Sequence, residues 1–217
     1  MPERAELVAA PGFIEPRLQA ELPGLRLAWL TVEVRAGNSP SWVAQRLRAL
    51  SDRVHGADVV AMRTQPIPHA YRAFFRQIGL DPDRQRIPSE GAAVTRLLRG
   101  GYPSTDRLSD ARLVALVETG VPVWALKAEL VAPGGLGIRA TGAGEAFGAV
   151  AQPLPPGRLV VSDRERIHAL LFGAIAPGHA AGARTARVAL FAVGVEGVPE
   201  IHLEESLWTC AEALGGV

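Results

Sequence analysis

Cysteine and lysine are almost absent from this chain, and it has no long hydrophobic run. One cysteine in 217 residues, Cys210, rules out an internal disulfide framework and makes a reducing compartment the expectation. The uncharged stretch 169–183 is broken by Gly173, Pro177, Gly178 and His179, so it falls short of the roughly 20 apolar residues a membrane span needs. Met1-Pro2-Glu3-Arg4 lacks the apolar run of a secretory signal. A soluble, cytoplasmic protein is expected. Metal chemistry is poorly furnished as well. His55, His69, His168, His179 and His202 form no i, i+4 pair and accompany no cysteine cluster, so neither a metal nor another cofactor is expected. Gly134-Gly135-Leu136-Gly137 lacks the Gly-Lys-Ser/Thr ending of a phosphate loop and reads as a hairpin turn. No nucleophile elbow surrounds a serine, and Cys210, between Thr209 and Ala211 on a helix, reads as a buried thiol.

What is present is an ordinary globular composition, 48% hydrophobic and 21% charged, in a chain long enough for a sizeable core. Of the 23 basic residues only Lys127 is lysine. This has two readings: codon bias in a GC-rich genome, or phosphate recognition by guanidinium forks. Residues 26–112 carry 14 basic and 8 acidic residues, the remainder 9 and 14. The first half could therefore face a polyanion.

The pattern of elements is mixed. Residues 1–21, rich in proline, read as an N-terminal extension with a short helix near Arg17, and 22–217 as one domain. Leu25 to Val34 reads as an internal strand with apolar residues on both faces. Ser39 is expected to cap a helix opening at Pro40, with Trp42, Val43, Leu47 and Leu50 as its apolar stripe. Residues 58–62 fit either a short strand or the lead-in to a helix. Helices are expected over 68–78, 88–99 (with Ala92, Ala93, Leu97 and Leu98 inward) and 106–118. From Val121 the period switches to strands, at 121–127, 136–141 and 157–162. Ser162-Asp163-Arg164-Glu165 matches a capping box opening a further helix with Ile167, Leu170, Leu171 and Phe172 inward. A strand over 185–195 and a helix over 203–214, with Trp208 among its buried residues, complete the chain. There is no internal repeat and no convincing linker. The expectation is an α+β single domain with a mixed-sheet or sandwich core flanked by helices.

The succession Tyr71-Arg72, Gly79-Leu80-Asp81-Pro82, Pro88-Ser89-Glu90, Arg96, Asp110 and Glu118-Thr119-Gly120-Val121-Pro122 resembles the stand-alone relatives of the B3/4 domain. That domain is the tRNA-editing module of the bacterial phenylalanyl-tRNA synthetase β subunit. The likeness spans residues 22–195 and is densest from 71 to 147. It implies the editing-domain fold and, as partner, the 3′ end of tRNA or aminoacyl-tRNA. The implied activity is hydrolysis of a wrong aminoacyl ester in trans, without the rest of a synthetase. By the same analogy Arg112, Leu113, Pro122, Trp124, Arg139, Ala140 and Thr185 would line a substrate pocket. Thr119 and Glu145 would position substrate and water, although Glu145 in Gly142-Ala143-Gly144-Glu145 also reads as a turn carboxylate. Ester hydrolysis needs such a positioned water and donors for the oxyanion.

Three polar positions of the family pattern are Leu113, Trp124 and Lys127 here, which argues against tyrosine-specific editing. A non-catalytic RNA- or amino-acid-binding module on the same fold is the alternative. An enzyme acting on an unrelated metabolite is a third reading, because one fold hosts many chemistries.

Overall fold

In a computed structural model, which describes residues 8–35, 37–148 and 153–215, the chain forms two four-stranded sheets and seven α-helices among those residues. The fold is α+β in a single domain. The first sheet runs β1 (Ala10–Pro11), β3 (Arg26–Glu33), β8 (Arg187–Gly194), β4 (Val123–Lys127), antiparallel throughout. The second runs β2 (Phe13–Ile14), β5 (Gly137–Ala140), β6 (Leu159–Ser162), β7 (Ile167–Leu170), with β2 parallel to β5 and the other pairs antiparallel. One is thus purely antiparallel and the other mixed.

The segment 10–14, which reads as an extension in sequence, supplies a strand to each sheet. The chain changes sheets at Gly12, whose amide donates to the Leu27 carbonyl while that of Phe13 donates to Leu136. A Cβ on Gly12 would lie 2.5 Å from Leu27 Cδ2 and 2.6 Å from the Leu136 carbonyl oxygen. Only glycine lets the two sheets come this close.

The helices are α1 (Pro16–Glu21), α2 (Ser41–Arg53), α3 (Gly56–Ala61), α4 (Pro66–Gln77), α5 (Pro88–Arg99), α6 (Arg107–Thr119) and α7 (Glu200–Leu214). Residues 58–62, ambiguous in sequence, are helical, as α3 and a following 3-10 turn. α6 opens at Asp106, whose carboxylate accepts from the amides of Leu108 and Ser109, and closes at left-handed Gly120. It packs against α2, α5 and α7, and α7 lies on β3 and β8. That places α6 in the middle of the helical layer, in keeping with its wide apolar surface.

Several local expectations are corrected. α2 is capped at Pro40, not Ser39. The Ser39 hydroxyl instead donates to Asp110 Oδ2 at 2.6 Å, a stronger charge-assisted partner than a helix amide. Residues 162–170 form a β-hairpin, not a helix. Asp163 Oδ1 accepts from the amides of Glu165 and Arg166, which turns the chain back rather than starting a helix. α5 turns Ser89, Glu90 and Ala93 inward, leaving Leu98 82% exposed. Trp42 and Trp208 are exposed as well.

The core is continuous and centres on aromatic packing. Phe172 meets Tyr71, Phe74, Phe75 and Trp124 at ring-centroid distances of 5.2–5.8 Å. Trp124 also stacks on Phe191, 5.4 Å away and 12° from parallel. Phe172 does this from a left-handed backbone (φ 53°), a conformation bulky residues seldom adopt. Here the tight return after β7 sends its ring into the cluster.

Candidate functional site

The residues that the sequence groups into one pocket fall into four places. Arg112, Leu113, Pro122 and Trp124 do converge. With Ser109 and Pro88 they line a cavity of about 330 Å³ between α6, the start of α5 and the start of β4. Trp124 is a wall of this cavity rather than a plug, because its ring is held back by Phe172 and Phe191. Arg112 reaches it one helical turn before Leu116, and its Nε donates to the Val123 carbonyl at 2.7 Å. That bond fixes the guanidinium against the strand. Among the described residues no carboxylate pairs with it. Burial pushes Arg112 below its ordinary pKa, with Cys210 and Asp106 offsetting part of the shift. An arginine so placed gains most from an incoming anion.

Thr119 is elsewhere and is occupied. Its hydroxyl donates to the Ala115 carbonyl at 2.7 Å and accepts from the Val121 amide at 3.1 Å, closing α6 before β4. It borders a second, mostly apolar cavity of about 430 Å³, with Met62, Ile67, Tyr102, Leu116 and His202 among its walls. Ser89 also lines this cavity, and its buried Oγ has no hydrogen-bond partner among the described residues.

Arg139 and Glu145 form a closed unit. The guanidinium gives Nη1 to Glu145 Oε1 at 2.8 Å and Nη2 to Oε2 at 2.6 Å, and its Nε goes to Ser162 Oγ at 3.0 Å. The Gly142 amide adds another donor to Glu145. The Arg139 contact holds the Glu145 carboxyl below its usual value, a smaller burial effect opposes it, and the Gly142 amide adds to the lowering. A carboxylate stabilised in this way is a poor general base. The Ala140 amide donates to Glu15 Oε2 at 2.8 Å, tying β5 to the start of α1.

Thr185 precedes β8, where its Oγ1 accepts from the Gly182 amide at 3.0 Å. It borders an open groove of about 760 Å³ with Lys127, Glu129, Arg184 and Arg187.

A constellation missed by sequence reasoning lies on the β6–β7 hairpin. His168 Nε2 is 2.8 Å from Asp163 Oδ2, and His168 Nδ1 is 3.0 Å from His179 Nδ1. Asp163 and His168 are fully buried and His179 is half-buried. The histidines are eleven positions apart, so no spacing rule connects them. The usable signal is Asp163 at a hairpin turn with His168 returning beside it, visible only once the stretch is read as strand–turn–strand.

Burial works against the Asp163 charge, but the Ala132 amide, the His168 ring and the amides of Arg166 and Glu165 together hold its carboxyl below the ordinary range. Among the described residues no group of three or more His, Cys, Asp or Glu side chains is arranged to hold a metal ion. Asp163 is held by backbone amides as well as by His168, and the two rings meet through their Nδ1 atoms. Cys210 is buried, and burial pushes its thiol up to about 12, which leaves it a neutral packing residue at physiological pH.

Among the described residues no helix is long and apolar enough to cross a membrane. No protein-family model matches the chain, and a search of curated proteins finds no relative.

Proposed function

We propose that the chain is a binding module for a small anionic ligand of the aminoacyl-nucleotide class, such as the 3′ end of an aminoacyl-tRNA, taken up in the cavity between α6 and β4. The observation that carries this reading is Arg112: a largely buried guanidinium, anchored through Nε to Val123, without a carboxylate partner among the described residues, on the wall of a cavity bounded by Trp124. A phosphate or carboxylate gives such a group the partner it lacks. The indole edge and Pro122 offer an apolar surface to a base or side chain.

Binding is favoured over trans-editing hydrolysis at this cavity. The hydroxyl of Thr119 is committed to closing α6, and the carboxylate of Glu145 is committed to Arg139 and Gly142. Neither is free to position a water. The resemblance to B3/4 domains supplies the ligand class, and the geometry around Arg112 is what supports an anion.

The test is direct. Titration with AMP, phenylalanyl-adenylate sulfamoyl analogue and deacylated tRNA is expected to give saturable binding that weakens with salt. Arg112→Gln should lower affinity for the nucleotide at least tenfold, while Glu145→Gln leaves it within twofold. Equal affinities for wild type and Arg112→Gln would overturn the proposal.

A further inference from the structure

A hydroxyl buried on a helix ordinarily bonds back to a carbonyl one turn before it. Ser51 does so to Leu47, Thr119 to Ala115 and Ser206 to Leu203. Ser89 cannot, because it is the second residue of α5, directly after Pro88, and no helical turn precedes it. It is 7% exposed, and its Oγ, shut off from solvent, has no hydrogen-bond partner among the described residues. A buried donor left in this way costs the full desolvation of the group.

Ser89 stands on the wall of the cavity of about 430 Å³ that Thr119 borders. Pro68, Ser89, Tyr102 and Thr119 are buried, while Gln65 and Pro199 are exposed, so the cavity has a closed floor and a mouth. Its volume falls within the about 300–1,000 Å³ of small-molecule sites. Among the described residues no lysine or arginine lines it. The Glu118 carboxylate is already held by Arg46, at 2.7 Å to Oε1 and 2.6 Å to Oε2, and His202 Nδ1 lies 3.1 Å from Glu205. An anion would therefore find no counter-charge on these walls. A neutral apolar molecule would find Met62, Ile67 and Leu116, and beside them the hydroxyl of Ser89.

We propose that this cavity binds a neutral, largely apolar molecule of one or two rings with a single carbonyl oxygen, which accepts the hydrogen of the Ser89 hydroxyl. Rotation about χ1 between staggered positions is the freedom Ser89 needs to present that hydrogen to the cavity. A carbonyl supplies the acceptor without adding a second donor that would need a partner of its own. A ring system fills the space with fewer torsions to freeze than a chain of equal volume. Leu116 is the one residue common to the walls of this cavity and of the Arg112 cavity. Binding here uses neither Arg112 nor a charge on the ligand, so this proposal and the nucleotide-binding one can fail separately.

The experiment uses the full chain and 6-propionyl-2-dimethylaminonaphthalene, a neutral ketone whose emission moves to the blue in apolar surroundings. Saturable binding of one molecule per chain is expected. 2-Acetylnaphthalene should displace it about fivefold more tightly, or better, than 2-ethylnaphthalene, although the hydrocarbon is the more hydrophobic of the pair. Ser89→Ala removes the orphaned hydroxyl. Its urea midpoint should be no lower than that of the wild type, and it should bind the hydrocarbon at least as well as the ketone. Ala92→Phe, which fills the cavity from α5, should weaken both ligands at least tenfold, and Val117→Phe does the same from α6 if that chain does not fold. Arg112→Gln should leave both affinities within twofold. Absence of saturable binding, the result if a buried water alone serves Ser89, would overturn the proposal. So would undiminished binding in the cavity-filling variants, a ketone preference or a lowered urea midpoint in Ser89→Ala, or a loss of binding in Arg112→Gln.

Discussion

At the scale of single residues, the side chains that make the sequence distinctive are mostly holding the fold. Arg72 Nη1 reaches both carboxylate oxygens of Glu90 at 3.0 Å and its Nη2 reaches Asp83 at 2.7 Å, with Arg72 and Glu90 each about 5% exposed. Tyr71 donates to the Val193 carbonyl from inside the core. Asp110 collects the hydroxyls of Ser39 and Ser104 and the amide of Thr105. These motif residues were legible as special, but sequence does not show the partner that turns a polar residue into a brace. The partner of Arg72 lies 18 positions along the chain, on another helix. A buried pair behaves asymmetrically on mutation: removing one member strands the other charge at a cost of about 3–5 kcal/mol, whereas an apolar replacement of both is far cheaper. Arg72→Met should therefore lower the unfolding free energy by about 3–5 kcal/mol in urea titrations, and adding Glu90→Leu should recover a substantial part. A double variant as unstable as the single one would contradict this account of the brace.

At the scale of elements, α6 and the β6–β7 hairpin show what patterns can and cannot settle. α6 was readable to within a residue at each end because Asp106 and Gly120 act locally, through bonds inside the helix's own first and last turns. Ser162-Asp163-Arg164-Glu165 satisfies a helix start just as well on paper. Its Asp163 binds the same nearby amides that a hairpin turn offers, and the deciding contacts are non-local: the Ala132 amide and the pairing of β6 with β5. The misread hairpin concealed the Asp163–His168–His179 relay. The relay carries a pH dependence whose sign is fixed. Burial first, then His168, Arg166 and Lys127 lower the folded-state pKa of His179 against the pull of Asp163. The unfolded imidazole titrates near 6.5. Between those two values the unfolded chain binds more protons, so stability is full above about pH 6.5 and declines as the pH falls towards the folded value. Asp163 adds a separate loss only at much lower pH, as its carboxylate, held below the ordinary range, is finally protonated. The urea midpoint of the wild type should thus fall between pH 7.5 and pH 5.5 more steeply than that of His179→Gln. Parallel slopes for the two proteins would mean that His179 titrates like a free side chain.

At the scale of the whole molecule, fold class was legible, while the choice between one mixed sheet and two packed sheets stayed open. Helical and alternating periodicities announce α+β locally. Which strand pairs with which depends on contacts such as β3 with β8, some 160 residues apart, and no local pattern encodes them. The most consequential hidden feature is the crossing at Gly12, because residues 10–14 give one strand to each sheet and thereby join them. Sheets sewn together by one continuous backbone, with a shared hydrophobic core, should unfold as one cooperative unit. The crossing is also the point of least tolerance. In Gly12→Ala the new Cβ meets Leu27 Cδ2, which can turn aside, and the Leu136 carbonyl, which cannot move without disturbing the entry to β5. Overpacking of this sort costs about 1–3 kcal/mol. The expected result is a lower urea midpoint with an unchanged slope, followed equally by tryptophan fluorescence and by far-ultraviolet circular dichroism, since a strained but still joined pair of sheets loses stability without losing cooperativity. Two separate transitions would instead show that the sheets are independent bodies and that Gly12 links them without coupling them.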